Sequence, residues 1–217
     1  MSTGIEREKQ LAAEAASALV DDGMTVGLGT GSTAGYFVTA LAGRGLELVC
    51  VATSPETETV ARELGLHIEP FDSATKLARI DIAVDGADQV ARDGWIVKGG
   101  GGAHTREKIV AAAAERFVVI ASSDKLVEEI RPPIPLELHT FGLAATLERL
   151  GQARLRNASA SPDGGVLADW IGPVADAVEL ADWLAATPGV IEHGLFAPEL
   201  VSEILIGRGE QVERIGY

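Results

Sequence analysis

Apolar and polar positions change period several times along this chain, and each change marks an element. Residues 6–20 place Ala12, Ala15, Ala16 and Leu19 at the i, i+3, i+4, i+7 spacing of a helix face, and "DDG" stops the pattern. Short apolar runs then alternate with helical stretches. "MTVGL" reads as a strand, "GTGST" as a loop, "AGYFVTALAG" as a helix ending near Gly43, and "LELVCVAT" as a second strand. The next helix carries its own signals: Ser54 as cap, Pro55 in the first turn, Glu56 and Glu58 at the positive end, and Gly65 as the stop. "LHIEP", "RIDIAVD" and "RFVVIAS" are further strands, and a long helix beginning near Thr105 separates the last two. Such β-then-α alternation predicts a parallel sheet flanked by helices.

Near residue 132 the punctuation changes. After "RPP", "IPLELH" reads as strand, "FGLAATLERLG" as helix, "ARLRNAS" as strand and "PDGG" as a turn. "VLADWI" is strand again, "PVADAVELADWLAAT" helix and "GVIEHGLF" strand. That order, β-α-β-β-α-β, is the split-βαβ signature of a ferredoxin-like unit. The tail "LVSEILIG" is one more apolar strand, suited to the first sheet. The expected fold class is therefore α/β, a Rossmann-like parallel sheet domain over 1–131 plus 200–217 with a ferredoxin-like α+β subdomain over 132–199.

Composition narrows the function classes. A chain of 217 residues, 47% hydrophobic, has enough apolar material for one substantial core and a smaller one. No stretch approaches the roughly 20 apolar residues of a membrane span, so a membrane role is not expected. Cys50 is the only cysteine, which excludes an internal disulfide and suits a reducing cytoplasm. With 32 acidic against 18 basic residues the formal charge is −14, which argues against sequence-independent nucleic-acid binding. The same charge repels an anionic metabolite, so any anion must be held locally, by lysines and helix N-terminal amides.

In open parallel sheets ligands bind beyond the carboxyl ends of strands, and four loops there carry candidate chemistry. In "GLGTGSTAGYF" the glycines admit close backbone approach, and Thr30, Ser32 and Thr33 place hydroxyls beside helix amides, which suits a phosphate monoester. Residues 29–34 also match G-x-G-x-x-A, but the second strand ends in "VATS" without a carboxylate for a ribose, which weakens a nicotinamide-dependent reading. In "DIAVDGADQ" a strand runs out at Asp85, with Asp88 three residues on; a turn and a pair of carboxylates sharing proton duties both explain it. In "VKGGGGAHTRE" Lys98 precedes four glycines and Glu107 falls in a first helical turn. The helix dipole accounts for Glu107 alone, but not for Lys98 with the glycines. "ASSDKL" puts Lys125 at another strand end. His67, His104, His139 and His193 fit no metal-ligand spacing, and no metal is expected.

Taken in order, "GLGTGST", "DGAD", "KGGGGAHTRE", "SSDK", "PIPLEL" and "PGVIEHGLF" closely resemble the A-type ribose-5-phosphate isomerases across nearly the whole chain. The resemblance implies that Thr30, Gly31, Ser32 and Thr33 bind substrate, with Lys9 and Lys125 holding its phosphate. Asp85, Gly86, Ala87 and Asp88 would form a second wall, and Lys98, Gly99, Gly100 and Gly101 a third. Glu107 looks like the family's base. It further implies interconversion of ribose 5-phosphate and ribulose 5-phosphate without a nucleotide cofactor, in a homodimer or homotetramer. Three departures stand out: Gln89 where the family usually has glutamate, His104 where an apolar residue is common, and "ELHTFG" in place of the "EV-P" run that follows the family's "PLP" segment.

The residues support such chemistry. A single carboxylate that reaches both C1 and C2 can serve both half-reactions. An ordinary glutamate, with a pKa of about 4.3, is a weak base, so desolvation is expected to raise it. Lys98 and the glycine amides would balance charge on the intermediate. Asp85 and Asp88 would share ring opening and hydroxyl proton transfer. Coenzyme A transferases, amino-sugar-phosphate deaminases and sugar-phosphate sensors share this general fold, and a nicotinamide-dependent oxidoreductase is the rival outside it; cofactor-free turnover separates that last one.

Overall fold

The computed structural model describes residues 4–72 and 77–216, and its elements follow the apolar runs. In chain order they are α1 (Gly4–Ser17), β1 (Thr25–Leu28), α2 (Ser32–Ala42), β2 (Val49–Ala52), α3 (Pro55–Glu63) and β3 (Ile80–Gly86). There follow β4 (Gln89–Ala91), β5 (Ile96–Val97), α4 (His104–Ala113), β6 (Ala114–Ser122) and β7 (Leu126–Val127). The remainder is β8 (Ile134–Leu138), α5 (Leu143–Leu150), β9 (Ala153–Leu155), β10 (Val166–Trp170), α6 (Ala177–Ala186), β11 (Val190–His193), β12 (Leu195–Phe196), β13 (Glu203–Arg208) and β14 (Gln211–Gly216). Two compact units result. The first comprises residues 1–87, 106–126 and 199–217, the second 88–105 and 127–198. Residues 88–105 and 127–131, which the sequence reading assigns to the larger domain, group with the second unit, where β4 pairs with β5 and β5 with β12 in a sheet separate from the parallel one.

The first unit is built on a six-stranded sheet in the order β14-β13-β6-β3-β1-β2, parallel except for β14. Alternation sorts its faces. Val26, Leu28, Ile82, Val84, Val118 and Ile120 join Ala12, Ala16, Phe37, Leu41 and Ala61 in one core. Gly27 and Ala83 lie on the opposite face, where Val110 of α4 approaches. Ser54 caps α3 as expected, its hydroxyl accepting from the Thr57 amide. Cys50 is fully buried in β2, and burial pushes its thiol up to about 12, so it is an inert packing residue. The expected strand "LHIEP" reduces to one bridge, Cys50 with Ile68, because the chain leaves the edge at Pro70 after two hydrogen bonds. No described helix is long and apolar enough to cross a membrane.

Topology places the loops. The β1 connection runs through α2 to β2 at one side of β1, while β3 leads through α4 to β6 on its other side. Neighbouring parallel strands whose connections diverge make a switch point, where a crevice opens beyond the carboxyl ends. Gly29 and Asp85 stand at those two ends.

The second unit holds an antiparallel sheet, β11-β8-β10-β9, with α5 and α6 as its crossover helices. This is the ferredoxin-like order. Leu136, Leu138, Ala168, Trp170, Leu180 and Leu184 fill its core. A short second sheet runs β12-β5-β4-β7. The run "GVIEHGLF", expected as one strand, is divided between the two sheets at Gly194. A Cβ there would lie 2.2 Å from the Lys98 carbonyl oxygen and 2.9 Å from Pro135, and the Gly194 backbone bonds both neighbours instead.

Candidate active site

In the first unit the loop after β1 closes onto Asp85. Asp85 is buried, and its Oδ1 accepts the Thr30 amide at 3.1 Å and the Gly86 amide at 2.7 Å. A Cβ on Gly29 would sit 2.0 Å from that oxygen, so only glycine lets the loop approach. The Thr30 hydroxyl pairs with Thr53 at 2.7 Å, and Thr57 donates to the Gly29 carbonyl, which ties the loop to the start of α3. Gly31, at φ 107°, ends the loop as the N-cap of α2 and offers no side-chain cap. The first-turn amides at Ser32, Thr33 and Ala34 thus lack a capping side chain, the arrangement that receives an anion.

One lysine accompanies that helix end. Lys9 of α1 lies 3.2 Å from Ser32 Oγ and 2.8 Å from Glu6, whose other oxygen accepts the Tyr36 hydroxyl at 2.8 Å. Hydrogen bonds from Lys9 and then Tyr36 hold the Glu6 carboxyl below its usual range. Lys125 lies 3.6 Å from Asp124. The segments bearing both lysines are joined through Glu8, a buried residue whose carboxylate accepts the Gly209 amide at 2.8 Å and the Ser123 amide and hydroxyl at 2.9 and 2.7 Å.

That clamp has a pH signature. The Gly209 amide, then the Ser123 hydroxyl, keep Glu8 below its ordinary pKa despite burial. Its stabilisation is therefore complete above the unfolded value of about 4.3 and is lost as pH falls through the lower folded value. Glu8→Gln, which turns an amide group toward backbone donors, should cost about 1–3 kcal/mol at pH 7. In thermal melts each kcal/mol should lower Tm by about 2–4 °C, and the gap between parent and variant should close toward acid pH.

In the second unit Lys98 follows β5. It is 2% exposed, its Nζ stands 5.6 Å from the centroid of the Phe196 ring, and its amide donates to the Gly194 carbonyl. The glycine loop comes next. Gly99 adopts φ 103°, and a Cβ there would lie 2.6 Å from the His104 ring; His104 is wholly buried in the place where the family resemblance leads one to expect an apolar side chain. Asp88 is exposed, and its Oδ2 accepts the Gly100 amide at 2.7 Å. Gln89, the departure next to it, donates to the Arg131 carbonyl at 2.7 Å and accepts the Arg131 amide at 3.1 Å, a pairing a carboxylate could not complete. Arg156 donates to the Gly99 and Gly100 carbonyls and forks onto Asp169.

Glu107 lies in the first turn of α4 and is 4% exposed. Two residues before it, the Thr105 hydroxyl donates to Glu137, a strand β8 carboxylate only 1% exposed that also accepts the Ser161 hydroxyl. Thus Thr30, Gly31, Ser32, Thr33, Asp85, Gly86 and Lys9 gather in the first unit. Asp88, Lys98, Gly99, Gly100 and Gly101 gather in the second; Ala87 is the half-buried link between Gly86 and Asp88. Sequence reasoning missed Glu8, Glu137 and the Arg156–Asp169 pair. The signal for Glu137 was present, a charge inside the apolar run "IPLEL"; Arg156 had none. Among the described residues no three His, Cys, Asp or Glu side chains are grouped to hold a metal ion.

Residues 49–211 match the family model for ribose 5-phosphate isomerase A (phosphoriboisomerase A). The ribose-5-phosphate isomerase A of Rhodopseudomonas palustris strain BisB18 is 43% identical over 219 aligned positions, covering 92% of this chain and 93% of the relative. The solved ribose 5-phosphate isomerase A of Methanocaldococcus jannaschii superposes with a TM-score of 0.89 at 32% identity, over 96% of this chain and 98% of that one. A D-ribose-5-phosphate isomerase solved in complex with phospho-erythronic acid gives 0.91 at 32% identity, with 100% of both chains covered.

Proposed function

Because the chain belongs to the ribose 5-phosphate isomerase A family, we infer that it interconverts D-ribose 5-phosphate and D-ribulose 5-phosphate through an enediolate, the isomerising step of the non-oxidative pentose phosphate pathway. What carries the reading onto this chain is the buried Glu107, five residues beyond the four glycines and nine beyond a buried Lys98. The uncapped start of α2, with Lys9 and Lys125, takes the phosphate and offsets locally the repulsion of a −14 protein. Asp85 and Asp88 share ring opening and hydroxyl proton transfer. Glu107 removes the proton from C2; the C–H electrons form the C1–C2 double bond, and negative charge moves to the C1 oxygen. Lys98 and the glycine-loop amides stabilise that charge. The O2 proton passes to O1, the C2 carbonyl forms, and Glu107 returns its proton to C1. No metal or nucleotide enters any step.

The test is turnover of ribose 5-phosphate by purified protein with a chelator present and no cofactor. Ribulose 5-phosphate should form. Binding without turnover would point to a sensor. The pathway reading supports a cytoplasmic home, which a single cysteine suits. A homodimer or homotetramer fits the exposed apolar side chains of the second unit, Phe141 at 85% above all, and sedimentation would decide it.

A further inference from the structure

We propose that Arg156, held by Asp169, is a positioning residue that fixes the direction of the glycine-loop amides. The inference rests on the loop's role in stabilising the enediolate. Four successive glycines have no side chains with which to pack, and they lose more freedom on ordering than any other residues. Such a loop stabilises a developing charge only if something outside it holds its peptide planes before the reaction begins. Arg156 does this at two adjacent peptides. Its Nη1 donates to the Gly99 carbonyl at 2.8 Å and to the Gly100 carbonyl at 3.3 Å.

In a trans peptide the carbonyl and the N–H point in opposite directions, so anchoring the oxygen aims the hydrogen. The plane between Gly99 and Gly100 is gripped at both ends, by Arg156 on its oxygen and by Asp88 on its N–H at 2.7 Å, and the Gly99 oxygen also accepts the Gly102 amide at 3.0 Å, so the amide that the anchoring aims toward the site is that of Gly101. Anchoring the Gly100 carbonyl likewise turns the amide of Gly101, an exposed residue, away from Arg156. A cationic donor on the carbonyls also polarises the same peptides and strengthens their N–H groups as donors.

Asp169 of β10 makes the arginine rigid. It accepts Nε at 3.0 Å and Nη2 at 2.6 Å, the two-pronged geometry that a lysine cannot reproduce. The side chains are 16% and 24% exposed, unlike the solvated pairs whose contribution is slight. An ion pair serving only to join β9 to β10 would have no need of the loop carbonyls.

The test compares parent, Arg156→Met, Arg156→Lys and Asp169→Asn. For each, kcat and KM for ribose 5-phosphate, the affinity for phospho-erythronic acid, whose carboxylate resembles the enediolate oxygens, and Tm are measured. For Arg156→Met we expect kcat to fall about 10²-fold, the lower end of what loss of an oxyanion donor does. KM should stay within about threefold, and analogue affinity should fall with kcat/KM. Arg156→Lys should recover little, and Asp169→Asn should show a weaker form of the same pattern. Unchanged kcat with a lowered Tm in the folded variants, or a rise in KM alone, would overturn the inference and leave the isomerase reading intact. If Arg156→Met does not fold, Asp169→Asn decides by the same criteria. A parent silent on ribose 5-phosphate would remove both.

Discussion

Replacing Glu107 with glutamine should reduce turnover of ribose 5-phosphate by about 10⁴-fold, the upper end of what a positioned general base contributes. The upper end is expected because one group serves twice, taking the proton from C2 and delivering it to C1. Glutamine keeps the size and hydrogen-bonding outline of the side chain, which matters at 4% exposure, so the fold and KM should both survive. Exchange of the C2 proton with solvent deuterium should vanish in step with kcat. Near-normal turnover would show that another residue is the base.

Lys98→Met should lower kcat by about 10³-fold with little change in KM, the pattern of a group whose interaction strengthens as charge develops. Methionine keeps most of the stem against Phe196 and removes only the charge. The ammonium is buried, so it acts where water screens it little. Steady-state kinetics decide the matter: a raised KM at constant kcat would make Lys98 a binder of the ground state instead. Thermal melts of both variants check that a loss of turnover is not a loss of fold.

Legibility in the sequence followed the range of the interactions. The parallel half was readable because its strands are largely buried and α3 carries its own local signals, Ser54 and Pro55. The ferredoxin-like half was readable from element order. "LHIEP" misled because apolar content does not reveal that an edge segment bonds for only two positions before Pro70. The break in "GVIEHGLF" at Gly194 depends on the Lys98 carbonyl, 96 positions away, and no local pattern reports such a neighbour. The site divides in the same way. Glycines, carboxylates and lysines at strand ends declare themselves by type and spacing. Arg156 sits in a surface run, "ARLRNAS", where an arginine is unremarked until its partners are seen.

The chain passes from one compact unit to the other after residues 87, 105, 126 and 198, and this order governs how the molecule can be made. Strand β6 pairs with β13, which begins at Glu203, so the first sheet cannot be completed until the whole second unit has been synthesised. During translation the growing chain carries β6 with one edge of its ladder open, an adhesive edge that must wait for β13 to leave the ribosome. Neither unit corresponds to a single continuous segment that could be synthesised, folded and selected alone.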